Sequence, residues 1–234
     1  MQIPDGPLSD SFSPSEIDRA AVNDDTWATF VRGREADFIF SRFGQHKFRC
    51  ALELGAGDCK QSIVLAKYCD SLVCTELDEK RFRPRKIPNV DYRICDAEDL
   101  SSFADSTFDL VFSSNMLEHV QHPERCLAES KRVLGPDGLV IATLPSRLWK
   151  IANTLLAPWR GKLPRIHGVS PDHLTEFIRF GRTHWEAVFR RAGFRILQTL
   201  RLPFYVGHGP HFLPLMKLGN RLRLSASTVF ILGR

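Results

Sequence analysis

Two glycines lie at the end of an apolar run, Cys50-Ala51-Leu52-Glu53-Leu54-Gly55-Ala56-Gly57-Asp58-Cys59-Lys60, and they are the residues best placed to do chemistry with a bound molecule. Lacking side chains, Gly55 and Gly57 let backbone N–H groups approach a ligand where a strand of an open α/β sheet turns toward a helix. Gly-x-Gly alone is weak evidence. The next apolar run, Ser71-Leu72-Val73-Cys74-Thr75, ends on Glu76, 21 positions after Gly55, a spacing suited to a carboxylate that takes the two hydroxyls of a ribose. A third run, Val90 to Cys95, delivers Asp96 to the same edge, where it either caps its own turn or meets the ligand. Glu53 sits inside an apolar strand, where an unpaired charge is costly, so it requires a partner.

To bring these residues together the chain needs a parallel sheet. Phe48–Leu54 reads as the first strand, Asp58–Tyr68 as the crossover helix with its N-terminus under the glycine loop, and Phe108–Ser114 as the fourth strand, ending at Asn115. An amphipathic helix follows over Pro123–Leu134, with Cys126, Leu127, Ser130, Val133 and Leu134 on its inner side. The turn Gly135-Pro136-Asp137-Gly138 then reverses the chain into a fifth strand, Leu139–Leu144. This alternation predicts a doubly wound α/β fold. Residues 145–182 break the rhythm with prolines at 145, 158, 164 and 171 and read as an insertion. A helix over Thr183–Ala192 and strands over Phe194–Leu202 and Ser227–Leu232 complete the pattern. Residues 1–44 form an N-terminal arm and a helix that packs across or lids the remaining domain, 45–234.

A 234-residue chain that is 43% hydrophobic suits one α/β domain with an elaboration. No apolar signal region or 18-residue apolar span is present, so a cytosolic protein is expected. The six cysteines include no C-x-x-C pair, and neither a metal site nor a disulfide framework is expected. Charge is unevenly spread. Residues 1–146 hold 17 Lys+Arg against 24 Asp+Glu, whereas residues 147–234 hold 15 against 3. From Ala187 onward there is no acidic residue, and Phe204, Tyr205, Phe212, Leu213, Leu215, Met216 and Leu218 interleave with Lys217, Arg221 and Arg223. This end, 187–234, leaves open peripheral contact with an anionic inner membrane surface, RNA as the rival partner, or plain solvation of a covered sheet edge.

In order along the chain, Leu52-Glu53-Leu54-Gly55-Ala56-Gly57, Glu76, Asp96-Ala97-Glu98-Asp99-Leu100, Phe108-Asp109-Leu110-Val111, Leu117-Glu118-His119-Val120 and Arg132-Val133-Leu134-Gly135-Pro136-Asp137-Gly138 resemble the class I S-adenosylmethionine-dependent methyltransferases, type 11 group. The resemblance spans roughly residues 48–146. It implies a Rossmann-like, seven-stranded, mostly parallel sheet whose last strand is antiparallel. It also implies S-adenosyl-L-methionine as cofactor, with the glycine loop Gly55, Ala56 and Gly57 at the methionine end, Glu53 partnered by that loop or by the cofactor ammonium, Glu76 on the ribose, Asp96 with Ala97 at the adenine edge, and Asn115 among the cofactor-binding residues. Where the family often has a third glycine, this chain has Cys59.

For catalysis the candidates are His119, as a general base or a packed residue at a helix start, and His167 and His173 in the insertion. After the fourth strand the chain reads Ser113-Ser114-Asn115-Met116, not the Asn/Asp-Pro-Pro-aromatic pattern of enzymes that methylate amide or base nitrogens, so nucleic acid ranks below a small-molecule or lipid-linked acceptor. A dinucleotide oxidoreductase is disfavoured because its third glycine would fall at Lys60. A non-catalytic binding module of the same fold stays open.

Overall fold

The computed structural model describes residues 24–158, 165–202, 218–219, 221–222 and 224–234. Seven strands form one sheet: β1 (Phe48–Leu54), β2 (Cys69–Glu76), β3 (Val90–Ile94), β4 (Phe108–Ser114), β5 (Leu134–Pro145), β6 (Arg195–Arg201) and β7 (Ser227–Gly233). Their spatial order is β3-β2-β1-β4-β5-β7-β6. The first five pair in parallel, and β7 runs antiparallel to both β5 and β6. Because β1 lies between β2 and β4, the chain leaves it in opposite directions on its two sides. The carboxyl end of β1 is therefore the crevice where such sheets bind ligands.

The helices are α1 (Asp24–Phe40), α2 (Ser62–Leu65), α3 (Pro123–Val133), α4 (Arg147–Leu156), α5 (His173–Arg179) and α6 (Arg182–Arg191). One face of the sheet packs Leu52, Val111, Val140 and Phe230 against Cys126, Leu127 and Val133 of α3 and Trp185, Val188 and Phe189 of α6. The other face packs Ala51, Leu110, Phe112 and Ile141 against Ala36, Ile39 and Phe40 of α1 and Val64 and Leu65 of α2. Each fully buried phenylalanine of this kind contributes about 2–3 kcal/mol by leaving water. α1 joins two regions. Its C-terminal half belongs to this second face, whereas Trp27 near its start packs with Leu148, Trp149, Ala152 and Leu156 of α4.

Two expectations require correction. The first crossover helix begins at Ser62, not Asp58, because Cys59 takes a left-handed backbone (φ 56°) that α-helix excludes. Gly135–Gly138 is no reversing turn: α3 runs directly into β5, and the four residues sit where the β4–β5 register shifts between Phe108 and Leu110. Pro136 fits there because a bulge needs no ladder N–H from it. The segment 145–182, read as an insertion, carries α4 and α5. Among the described residues no helix is long and apolar enough to cross a membrane. The aromatic and basic residues from Phe204 to Lys217, and Arg223, lie outside the described residues; Leu218 and Arg221 are exposed, as are Leu222 and Leu224.

Candidate active site

At the carboxyl end of β1, Gly55 has φ 67°, and a Cβ there would run into the side chain of Met116, which packs over the loop. Only glycine fits both the conformation and the space. Ala56 N–H donates to Thr75 O at 2.9 Å, tying the loop to β2. Gly57 N–H donates to Glu76 Oε2 at 2.9 Å, while Leu77 and Asp78 N–H donate to Oε1 at 3.0 and 3.1 Å. A carboxylate has about four acceptor positions, so among the described residues Oε2 keeps one for a hydroxyl donor. A Cβ on Gly57 would stand 3.9 Å from Oε2. These residues therefore fit a ribose-bearing cofactor.

Glu53 is buried in β1 and finds neutral partners: Ser62 Oγ–H donates to Oε2 at 2.5 Å and Cys74 Sγ–H at 3.2 Å. Burial pushes its carboxyl up to about 7, against the pull of those two hydrogen bonds. A carboxyl raised in the folded state binds its proton more tightly there than in the unfolded chain. The stability it confers is thus present below pH 4.5 and is lost as pH rises through about 7. Denaturant melts of the wild type and Glu53→Gln should differ by roughly 2–3 kcal/mol less favourably for the wild type at pH 8 than at pH 5. Parallel curves across that range would refute the shifted carboxyl.

At the next strand end, Asp96 Oδ1 accepts from Glu98 N–H at 2.9 Å, so the side chain caps its own turn. Ala97 is packed into the core beside it. α3 holds this loop from below, through Arg132 donating to Leu100 O and Phe103 O at 2.8 and 2.9 Å. The turn that presents Asp96 is thereby set by a helix 30 residues on.

Beyond β4, Asn115 takes a left-handed turn (φ 47°), donates its N–H to Thr143 O at 2.9 Å and leads into a 3-10 turn, Leu117–His119. His119 Nε2 lies 3.1 Å from His167 Nε2, although 48 residues separate them. Glu118, almost wholly buried, places Oε1 3.5 Å from His167 Nε2 and 3.9 Å from His119 Nε2, and among the described residues neither carboxylate oxygen is hydrogen-bonded. The loop carrying His167 is fixed from several directions. Val169 N–H donates to Glu118 O at 3.1 Å, and His167 N–H donates to Glu176 Oε1 at 3.0 Å. Glu176 is itself paired with Lys150 at 2.6 Å. The His167 ring packs against Trp149 and Phe180. Burial, ahead of the opposing pull of Glu118, lowers the pKa of His119, so at neutral pH its imidazole is uncharged and keeps a lone pair.

Asn115 and His167 line a cavity of about 180 Å³ with Trp27, Val31, Arg32 and Trp149. His173 is placed apart from the histidine pair. Its Nδ1 lies 3.1 Å from Lys150 Nζ and 3.2 Å from Glu176 Oε2, so it supports the loop's anchor.

Residues 52–142 match the family model described as a methyltransferase domain, and the seven-stranded topology is that of its class I fold. Over residues 52–142 the chain is thus similar to the methyltransferase-domain family, and its fold is that of solved class I methyltransferases. Among sequence relatives it is 36% identical over 95 residues to the ubiquinone/menaquinone biosynthesis C-methyltransferase UbiE of Cupriavidus taiwanensis, covering 37% of this chain and 38% of that protein. To the ubiquinone biosynthesis O-methyltransferase of Xanthomonas oryzae pv. oryzae it is 26% identical over 154 residues, 59% and 64% of the two chains. The match thus spans less than two thirds of either relative. In fold the chain is similar to a SAM dependent methyltransferase from Aquifex aeolicus (TM-score 0.59, 15% identity, 95% and 98% covered). It is also similar to the [4+2]-cyclase SpnF (TM-score 0.59, 16% identity, 86% and 80% covered).

Within the matched segment, Cys59 at the place of the third glycine takes a left-handed backbone and buries its thiol in the core, at a cost of about 1–2 kcal/mol in backbone energy. Sequence reasoning gave no role to Glu118, Met116, Glu176 or Lys150. Glu118 adjoins His119 within the quoted Leu117-Glu118-His119-Val120 run, which was a usable signal; the Lys150–Glu176 pair had none, since its members lie 26 residues apart on two separate short helices.

Proposed function

We propose that this chain is an S-adenosylmethionine-dependent methyltransferase acting on a small-molecule or lipid-linked acceptor. The observation that carries the reading is the glycine loop locked to Glu76 at the carboxyl edge of a methyltransferase-domain sheet, with a walled cavity beyond Asn115. Bound there, the cofactor would supply a methyl made electrophilic by its sulfonium. Gly55, Ala56 and Gly57 would hold the methionine end, Glu53 its ammonium, Glu76 the ribose, and Asp96 with Ala97 the adenine edge. The chain's own work is then positioning, which brings much of the acceleration in a reaction of this kind.

The acceptor side is built from α1, α4 and the His167 loop. Its cavity joins aromatic and aliphatic walls from Trp27, Val31 and Trp149 to the polar groups of Arg32, Glu35, Asn115 and His167, which favours a compact acceptor carrying a polar group over a stacked strand of nucleic acid. The relatives named for ubiquinone and menaquinone biosynthesis point the same way. The neutral His119 lone pair is available to an acceptor proton or a cation. The fold likeness to a [4+2]-cyclase keeps one rival in view, a methyltransferase fold that binds without transferring methyl.

Both readings meet in one assay. With methyl-labelled S-adenosylmethionine and a fractionated lysate including its membranes, label should enter the small-molecule or organic-phase lipid fraction. Label in RNA or protein, or cofactor binding without label in any fraction, would overturn the proposal.

A further inference from the structure

We propose that Glu118, His119 and His167 form a binding site for a divalent first-row transition cation, one that takes an oxygen of the acceptor as a further ligand. The inference deepens the methyltransferase reading and rests on it for the acceptor, though not for the cation. It departs from the sequence, which offered no metal-ligand spacing.

Geometry is the first support. Four ligands at about 2.0–2.1 Å around a tetrahedral cation stand about 3.3 Å from one another. The three ligand atoms here are 3.1, 3.5 and 3.9 Å apart, so shifts of roughly half an ångström would close a cation into the triangle. They come together across 48 residues, on a 3-10 turn and a docked loop.

Independent support comes from Glu118. Among the described residues neither oxygen of this buried carboxylate has a hydrogen bond, which is expensive. Arg32, whose charge Glu118 feels, is committed to Glu35 at 2.8 Å. A cation held jointly with two imidazoles would neutralise the carboxylate and occupy both histidine lone pairs.

The donor set names the cation class. Two imidazole nitrogens and one carboxylate suit zinc, iron, cobalt or manganese better than magnesium or calcium, which demand mostly oxygen. Three protein ligands leave at least one position open. A hydroxyl bound there becomes more acidic, as metal-bound water does, so the acceptor class is a hydroxyl or phenol. The site also has supports around it: Glu176 on the His167 backbone, Val169 on the Glu118 carbonyl, and Trp149 and Phe180 against the imidazole.

Cobalt(II) is the probe. The full chain, stripped with chelator, should bind one equivalent with visible d–d absorption typical of nitrogen and oxygen ligands, and zinc should displace it. His119→Gln and His167→Gln should abolish the signal, and Glu118→Gln should weaken binding by at least about tenfold. The exposed His122 should tolerate alanine without change. Circular dichroism and melting separate loss of the site from loss of the fold. No stoichiometric cobalt binding by the folded wild type, a thiolate charge-transfer band from the free cysteines, or binding retained in the His119→Gln/His167→Gln double variant would overturn the proposal. Calorimetry with S-adenosylmethionine reads the cofactor site separately, so failure of one idea is distinguishable from failure of the other.

Discussion

Glu76→Ala is expected to weaken S-adenosylmethionine binding by at least tenfold while leaving the sheet folded. Two losses add. The first is the hydrogen bond from a ribose hydroxyl to an ionised acceptor, worth about 1.5–3 kcal/mol, or roughly 10- to 150-fold in affinity. The second is the brace on the glycine loop. Gly57, Leu77 and Asp78 all donate to this one carboxylate, so its removal frees three N–H groups at the ligand edge. Glu76→Gln should recover only part of the loss, since an amide nitrogen presents donors where the backbone also presents donors. Titration calorimetry measures both variants, and thermal melts show whether the fold is intact. Unchanged affinity in the alanine variant would remove Glu76 from the site.

What could be read from sequence and what could not divides by how local the cause is. β1 and β4 were legible to the residue, because a buried parallel strand is a continuous apolar run bounded by polar residues. β7 was likewise legible, apolar enough to lie between two neighbours. The helix expected over Asp58–Tyr68 shrank because its first turn competes with a loop whose shape is set by Gly55, Gly57 and the left-handed Cys59. On the acceptor side the individual residues were visible but their company was not. His119 and His167 were both singled out, yet their contact depends on Gly168, Val169 and the Lys150–Glu176 pair, none of which carries a periodic signal. His173, equally plausible by type and position, is drawn to that same pair. A histidine in an irregular segment shows its chemistry in sequence; its neighbour is decided by how the segment docks.

Gly168→Ala is expected to cut turnover by about 100-fold with cofactor affinity within about twofold of wild type. Gly168 has φ 77°, and a Cβ there would collide with the carbonyl oxygen of Glu118, the same oxygen that accepts the Val169 N–H. Neither atom can yield, because one is backbone of the docked loop and the other backbone of the 3-10 turn. The loop must lift. A lift of about 1 Å parts His167 from His119 and Glu118, and misplacement on that scale is enough for the stated loss whether the pair moves a proton or holds a cation. Glu76 ends β2, across β1 from this turn, and the lift is taken up by the His167 loop while Met116 keeps its place over Gly55, hence the preserved cofactor affinity. Stability should fall by about 1–3 kcal/mol, from backbone strain and the lost hydrogen bond. Gly135→Ala is the control. Its φ is not positive, and its Cβ would meet Phe108 O at 3.5 Å, an ordinary contact, so turnover there should hold. Turnover on the acceptor fraction found by label transfer, together with calorimetry on the cofactor, measures the contrast. Equal turnover in the two alanine variants would mean that the docked His167 loop has no part in the reaction, and equal loss of cofactor binding would mean that the two halves of the site are not separable.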